Sequence, residues 1–179
     1  MIFNRLRPLL AAAAVAACLI AATPARAQQS EDEAARIETL ARQGDGSAAL
    51  GRADSWIAAH PRDARVRFLR GVLLTDQQRI DDAIAAFTEL NRDFPELAEP
   101  YNNLAVLLAS QGRYDEARAA LESAIRAAPG YALAWENLGD VYVQLAQRAY
   151  GSAARLAPAN NAVPPKLRAV RAVSVAGKS

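Results

Sequence analysis

Side chains capable of acid–base chemistry occur in this sequence as one histidine and two adjacent acidic pairs. His60 is the only His. Asp81-Asp82 and Asp115-Glu116 each place two carboxylates together, an arrangement that general acid–base catalysis uses. Both pairs stand ahead of an apolar segment, at the same position of an internal repeat. We therefore interpret them as helix-start residues whose negative charge complements the helix dipole, and His60 as a helix-terminal residue.

Metal and nucleophilic chemistry lack the residues that they need. His60 has no second His beside it, and Cys18 is the only Cys, so no His/Cys ligand set for a metal is present. The sequence has neither a Gly-rich phosphate loop nor a Gly-x-Ser-x-Gly motif. We predict that the chain is not an enzyme and has no cofactor or metal site.

Residues 1–27 have the order of a secretory signal peptide. A basic start precedes an apolar run over residues 9–22, and the small residues Ala25 and Ala27 stand at the cleavage positions. We expect cleavage after Ala27 and a periplasmic or secreted protein. One alternative is an N-terminal anchor that is retained. The other is a lipoprotein anchored at Cys18, because the residues ending at this Cys resemble a lipobox.

Charge is unevenly distributed after the predicted signal peptide. Residues 28–140 carry 12 basic and 19 acidic side chains, and residues 141–179 carry six basic and none acidic. Because three arginines belong to the signal peptide, the formal charge of +2 gives no indication of nucleic-acid binding. We interpret residues 159–179 as a basic, partly disordered tail, with a short helix over residues 166–173 after two prolines. Contact of this tail with an acidic partner or surface is the alternative.

An internal repeat with a period of about 34 residues organises the rest of the chain. It is defined by three series in one register: Pro61, Pro95 and Pro129; Ala49, Ala83 and Ala117; and Gly71, Ala105 and Gly139. A period of this length is typical of helical repeat arrays. In residues 98–131, Tyr101, Leu104 and Leu108 share one helix face, and Gly112 permits a turn before a second amphipathic helix. The recurring small residues predict close approach of the paired helices.

These periods resemble tetratricopeptide repeats, whose first helix carries a Trp, then Leu-Gly, then Tyr, and whose second helix ends at Pro. Trp135, Leu138, Gly139 and Tyr142 match that first helix, and Pro129 ends the preceding unit. The resemblance implies an all-α fold, a short right-handed superhelical array of antiparallel helix pairs with about three repeats and a C-terminal capping helix. The helical domain would cover residues 28–158, in units 34–63, 64–97, 98–131 and 132–158.

The first and last units depart from the pattern. In the unit 34–63 we expect a short first helix over residues 34–42, and we interpret this unit as a degenerate N-terminal cap. In the last unit, Pro158 follows Pro129 by less than one full period, so the turn between its two helices is interpreted as deleted. We predict one long helix from Ala132 to Leu156, with a compressed helical hairpin as the alternative. Trp56 and Trp135 are expected to pack in the core.

The resemblance also implies that the first helices of successive units line a concave groove that holds a peptide or a partner's helix. The candidate groove residues are Arg65, Phe68, Val72, Asp76, Glu99, Asn102, Asn103, Val106, Glu136, Asn137, Asp140 and Gln144, with Ser110 and Leu133 beside them. Asparagine suits this role because its amide both donates to and accepts from a peptide backbone. The basic clamp for a C-terminal carboxylate is not matched, so we expect a neutral or basic peptide.

The function predicted from these features is a protein–protein interaction module, or scaffold, of the bacterial cell envelope. It would bind a partner protein or peptide, and neither nucleic acid nor a membrane-spanning segment of its own is expected after cleavage. The alternative is a structural or self-associating repeat protein without a dedicated peptide ligand. The sequence leaves the partner, the envelope process and the oligomeric state open.

Overall fold

The computed structural model describes residues 27–176, which contain helices and turns and no strand. Helix α1 covers residues 27–42. The following helices are α2 (Gly46–Ala59), α3 (Ala64–Asp76), α4 (Ile80–Asp93), α5 (Ala98–Ser110), α6 (Tyr114–Ala127), α7 (Ala132–Leu156) and α8 (Val163–Ala176). Within this described range, no helix has the length and hydrophobicity needed to cross a bilayer. The predicted all-α repeat fold is confirmed.

The predictions for the N-terminus concern residues outside this range. The signal peptide, its apolar run and Cys18 precede residue 27, and Lys178 follows residue 176. The expected processing and lipid anchoring therefore stay predictions.

The chain divides into two compact units, Met1–Leu73 and Leu74–Ser179. In the first unit, Ile37 of α1, Leu50 of α2 and Val66 of α3 are buried. The expectation that the first helix is short and covers only residues 34–42 is wrong, because α1 already begins by residue 27. Glu33, which lies in the part of α1 before residue 34, is buried. It forms an ion pair with Arg52, in which Nε of Arg52 lies 2.6 Å from Oε1 of Glu33. This ion pair connects the first part of α1 with α2.

Two aspartates in the first unit start helices. Asp45 precedes α2 and accepts a hydrogen bond from the backbone N–H of Ala48 at 3.0 Å. Asp63 precedes α3 and accepts from the backbone N–H of Val66 at 3.1 Å and from the indole N–H of Trp56 at 2.7 Å. Each carboxylate satisfies a backbone donor that the first turn of a helix leaves without a partner.

The second unit packs its helices in sequence order, α4 on α5, α5 on α6, α6 on α7 and α7 on α8, and α5 also contacts α7. Ala105 of α5 and Ala117 of α6 are buried in its core with Leu121 and Leu138. The small residues of the repeat register therefore lie where α5 and α6 approach each other, as the sequence predicts.

The acidic pairs open helices, as interpreted. Asp81 and Asp82 lie in the first turn of α4, and Asp115 and Glu116 lie in the first turn of α6. An arginine shortly before each pair binds its second acid, in the ion pairs Arg79–Asp82 and Arg113–Glu116. The hydrogen bond from Arg113 holds the pKa of Glu116 below its usual value.

Residues with positive φ mark the turn between the two helices in three of the four repeats. Gly44 (φ 84°), Gln78 (φ 59°) and Gly112 (φ 74°) follow one another at intervals of one repeat period and connect consecutive helices. The next residue in this register, Ala146, lies inside α7. The structure thus has the single long helix of the two alternatives considered for the last unit.

One expectation about the last unit is wrong. Trp135 does not pack in the core, since it is half-exposed and donates its indole N–H to the carbonyl of Pro129 at 3.0 Å. The short helix predicted over residues 166–173 is present, and it is longer than expected because α8 begins at Val163 and packs on α7. Its prolines, Pro164 and Pro165, occupy the first turn, where their missing N–H groups cost nothing. Val163 is buried and holds α8 on α7.

Candidate functional site

A cavity of about 460 Å³ opens in the second unit between α5, α7 and the C-terminal part of α8. Val106 and Ser110 of α5 form one wall, and Asn137, Asp140 and Gln144 of α7 form the opposite wall. These residues were all predicted to line a groove. They meet because α5 and α7 are the first helices of adjacent repeats and lie side by side.

The floor of this cavity is apolar. It is formed by residues of the helix-pair core and one residue of α8, namely Ala105, Ala109, Tyr114, Leu121, Val141, Val143 and Val173. Ligand sites usually combine apolar residues with a few polar groups that fix the orientation of the ligand. The cavity can therefore hold the side chain of a partner segment while the amides of Asn137 and Gln144 lie at its edge.

Asn102 was predicted to read a peptide backbone, and the structure corrects this. Asn102 is 3% exposed, and its Oδ1 accepts a hydrogen bond from Nδ2 of Asn137 at 2.7 Å. The side-chain oxygen of Asn102 is thus already used in a hydrogen bond between neighbouring repeats. The pair aligns α5 with α7, and Asn137 is the member of the pair that lines the cavity.

The remaining candidate residues of the second unit do not line the cavity. Glu99, Glu136 and Asp76 are exposed, and Asn103 is half-buried. Burial, together with the negative charge of Glu99, raises the pKa of the Tyr131 hydroxyl. The structure thus brings together five of the predicted groove residues: Val106, Ser110, Asn137, Asp140 and Gln144.

Three candidate residues belong to the first unit. Arg65 is exposed and forms a long ion pair with Glu38 at 4.0 Å. Phe68 and Val72 are half-buried on α3. They share one face of α3, as the helical spacing predicts.

Acidity is the main electrostatic property of the cavity. Among the described residues that line it, Asp140 is the only one that carries a charge. Glu136 is exposed one turn earlier on α7. A neutral segment or one carrying positive charge complements these walls, whereas a carboxylate would be repelled.

Val173 is the cavity residue that lies outside the predicted repeats. It was recognised as an apolar position of a helix but not assigned to the site. The series Val163, Leu167 and Val170 follows a helical spacing and could have indicated a docked helix, which would carry Val173 towards α5 and α7.

The described residues contain no group of three or more His, Cys, Asp or Glu side chains placed to hold a metal ion. His60 ends α2, where its ring stacks on Trp56 with centroids 3.9 Å apart. Its Nδ1 lies 3.2 Å from the carbonyl oxygen of Trp56. These contacts agree with the interpretation of His60 as a helix-terminal residue.

Two family models match the chain, and both are described as tetratricopeptide repeat. One matches residues 34–98 and the other residues 74–138. Together they span more than half of the 179 residues. No curated protein matches the chain closely enough to be considered a relative.

Solved structures share the fold at low sequence identity. A structure of MamA is 22% identical with a TM-score of 0.58, and the match covers 75% of this chain and 81% of MamA. The pilF protein of Pseudomonas aeruginosa is 19% identical with a TM-score of 0.61, and 82% of this chain and 69% of that one are covered. YrrB, described as a TPR protein with an unusual peptide-binding site, is 21% identical with a TM-score of 0.54, over 60% of this chain and 55% of YrrB.

Proposed function

Because the chain belongs to the tetratricopeptide repeat family, a family of non-catalytic protein-interaction repeats, we propose that it holds a partner peptide or partner helix between α5 and α7. The cavity that joins Val106 to Asn137, Asp140 and Gln144 is the observation that carries this proposal. The partner would place an apolar side chain against Val106 and Val141 and a neutral or basic group beside Asp140.

The fold supports an interaction scaffold in general, and the cavity supports a particular place for the contact. A peptide-binding site is also named for YrrB, which has the same fold. The absence of catalytic constellations in the sequence supports a function in binding rather than catalysis.

We further propose that the protein acts in the bacterial cell envelope after export. Support comes from the sequence of residues 1–27, whose basic start, apolar run and Ala-x-Ala site follow the order of a signal peptide. Lipid attachment at Cys18 is the alternative route to the same compartment.

Site-specific photo-crosslinking in the producing cells tests the groove. A photoreactive residue would replace Val106, which lines the cavity, or Ala119, which is exposed on α6 and serves as the matched control. We expect a defined adduct with another protein from position 106 and none from position 119. The adduct should disappear when Asp140→Lys is added. Equal adducts from both positions, or no adduct from position 106, would contradict the proposal.

A further inference from the structure

Two large apolar side chains around the cavity are exposed to solvent, and they belong to different helices. Among the described residues that line it, Val106 of α5 is 48% exposed and Val173 of α8 is 57% exposed. Leu121 and Val141 also line the cavity, but they are buried in the core of the second unit. A partner side chain that enters the cavity would therefore gain most of its apolar contact from Val106 and Val173.

Helix α8 carries Val173 to the cavity because it returns along α7. The ammonium group of Lys166 lies 5.9 Å from the ring centre of Tyr150, and Val173 lines the cavity together with Val143. Tyr150 comes seven residues after Val143 in α7, and Lys166 comes seven residues before Val173 in α8. Both pairs thus fit one antiparallel register, in which about two turns of α8 lie along two turns of α7.

The missing turn of the last unit places α8 at the groove. In the preceding unit, Gly112 reverses the chain, and α6 folds back onto α5. In the last unit the chain continues through Ala146 to the end of α7, so the helix that returns is α8. Its last described side chain, Val173, then reaches the same cavity as Val106 of α5.

The packing of α8 on α7 leaves the side chain of Val173 accessible. Val163 is buried, and Leu167 and Val170 are half-buried along one stripe of α8. At 3.6 residues per turn, Val173 lies about a quarter of a turn away from the middle of that stripe. A partner can therefore contact Val173 while α8 stays docked.

We propose that α8 completes the groove and that Val173, together with Val106, determines which partners bind. This inference rests on the proposed function and describes the partner more closely. The partner segment places one bulky apolar side chain between Val106 and Val173, and a neutral or basic group beside Asp140. The cavity volume of about 460 Å³ lies within the range of about 300–1,000 Å³ that is typical of ligand pockets, so a long aliphatic or aromatic side chain fits.

Photo-crosslinking at a second position tests this inference separately from the groove itself. Position 106 shows whether a partner enters the groove, as described above. A photoreactive residue at Val173 should give an adduct with the same partner. At Ala172, an exposed neighbour on α8 that is not part of the cavity lining, it should give none. An adduct from position 106 with none from position 173 would overturn the role of α8 and leave the groove proposal intact, whereas no adduct from position 106 would overturn both.

Affinity measurements with the cross-linked segment, made as a synthetic peptide, test the side chain of Val173. Val173→Thr keeps the branched shape and replaces a methyl group with a hydroxyl, so we expect binding to weaken about fourfold or more. Val173→Asp would place a carboxylate near Asp140 and should weaken it about tenfold or more. Val173→Ile should keep the affinity. Ala172→Asp introduces the same charge at the neighbouring exposed position and should leave binding unchanged.

Circular dichroism and thermal melting show whether each variant still folds. Because Val173 and Ala172 are exposed, their variants should melt like the unaltered chain. Val163→Asp disrupts the buried contact that holds α8 on α7, and we expect it to weaken binding as well. Stronger binding in Val163→Asp would overturn the inference, because α8 would then cover the groove instead of completing it. Unchanged affinity in both Val173→Thr and Val173→Asp would overturn it too.

Discussion

Asp63 connects two helices of the first unit through a single carboxylate. It accepts the indole N–H of Trp56 from α2 and the backbone N–H of Val66 in the first turn of α3. Burial of Asp63 raises the pKa of its carboxyl group, but hydrogen bonds from Ser30, Trp56, Val66 and Arg65 outweigh this, so the pKa lies below the usual 3.8. The contact therefore depends on the ionised form.

This lowered pKa makes Asp63 a source of acid sensitivity. In the unfolded chain the carboxyl takes up its proton at higher pH than in the folded chain, so its contribution is complete above about pH 5 and is lost as the pH falls through the folded-state pKa. We expect the free energy of unfolding to fall less steeply between about pH 5 and pH 3 for Asp63→Asn than for the unaltered chain. Urea unfolding at several pH values measures this. Parallel slopes for the two proteins would refute the assignment.

Asn91 is a buried amide that the structure leaves without a hydrogen bond. Neither Oδ1 nor Nδ2 has a partner among the described residues. The residues at the same repeat position in the neighbouring units are Ile57 and Ile125. The backbone carbonyl of Asn91 does accept a bond, from the hydroxyl of Tyr101 at 3.4 Å. The free-energy cost of this residue therefore comes from the buried side-chain amide and not from its backbone carbonyl.

Replacing that amide should stabilise the second unit. We expect Asn91→Leu, which keeps the branched shape of the side chain, to raise the free energy of unfolding by about 1–3 kcal/mol, because the desolvation penalty disappears. Ile125→Asn at the same repeat position should lower it. Chemical denaturation of both variants provides the comparison. A loss of stability in Asn91→Leu would show that the amide has a partner beyond the described residues.

At the scale of the helices, the position after each first helix decides whether a unit closes. Gly44, Gln78 and Gly112 adopt positive φ and reverse the chain, whereas Ala146 continues α7. The length of α7 follows from the sequence, because Pro158 comes too early for a complete helix pair. Exposure of Trp135 does not follow from the motif, since burial of this position requires a second helix that the last unit lacks.

The open face of α7 predicts opposite effects at two equivalent positions. We expect Gly139→Ala to stabilise the chain by about 0.5–1 kcal/mol, because alanine favours a helix and meets no neighbour. Ala105→Leu, on the covered face of α5, should destabilise it by about 1–3 kcal/mol through overpacking. Thermal and urea unfolding test the pair. If Gly139→Ala destabilises the chain, another element covers this face.

Docking of α8 was also beyond a local interpretation of the sequence. Two prolines indicate a break when they are considered alone, but they are compatible with the first turn of a helix. The apolar residues Val163, Leu167 and Val170 can stabilise α8 only because the second half of α7 extends far enough to receive them. The partner of α8 thus depends on the missing turn, which lies well before α8 in the chain.

At the scale of the whole molecule, export is the prediction that determines where a partner is met. We expect the chain produced in its own bacterium to begin at Gln28, because Ala25 and Ala27 occupy the cleavage positions. N-terminal sequencing of the protein from fractionated cells measures this. Cys18→Ala should be processed in the same way. Failure of processing in Cys18→Ala would instead support the lipoprotein alternative.

The family resemblance predicted the location of the groove but only part of the contacts among its side chains. The family resemblance implied that Val106, Asp140 and Gln144 line a groove, and the structure places all three around one cavity. The internal bond between Asn102 and Asn137 could not be predicted, since it depends on the distance between α5 and α7. Asp140 is therefore the side chain whose change should affect a ligand most with the least effect on packing.

Calorimetric titration of the cross-linked partner's segment, as a synthetic peptide, against charge-reversed variants tests the groove most directly. Asp140→Lys reverses the charge of an acidic residue that lines the cavity, and Glu89→Lys makes the same change on an exposed part of α4. We expect the first to weaken binding by about tenfold or more and the second to leave it unchanged, with both variants melting like the unaltered chain. Equal affinities of Asp140→Lys and the unaltered chain would show that the partner binds outside this groove.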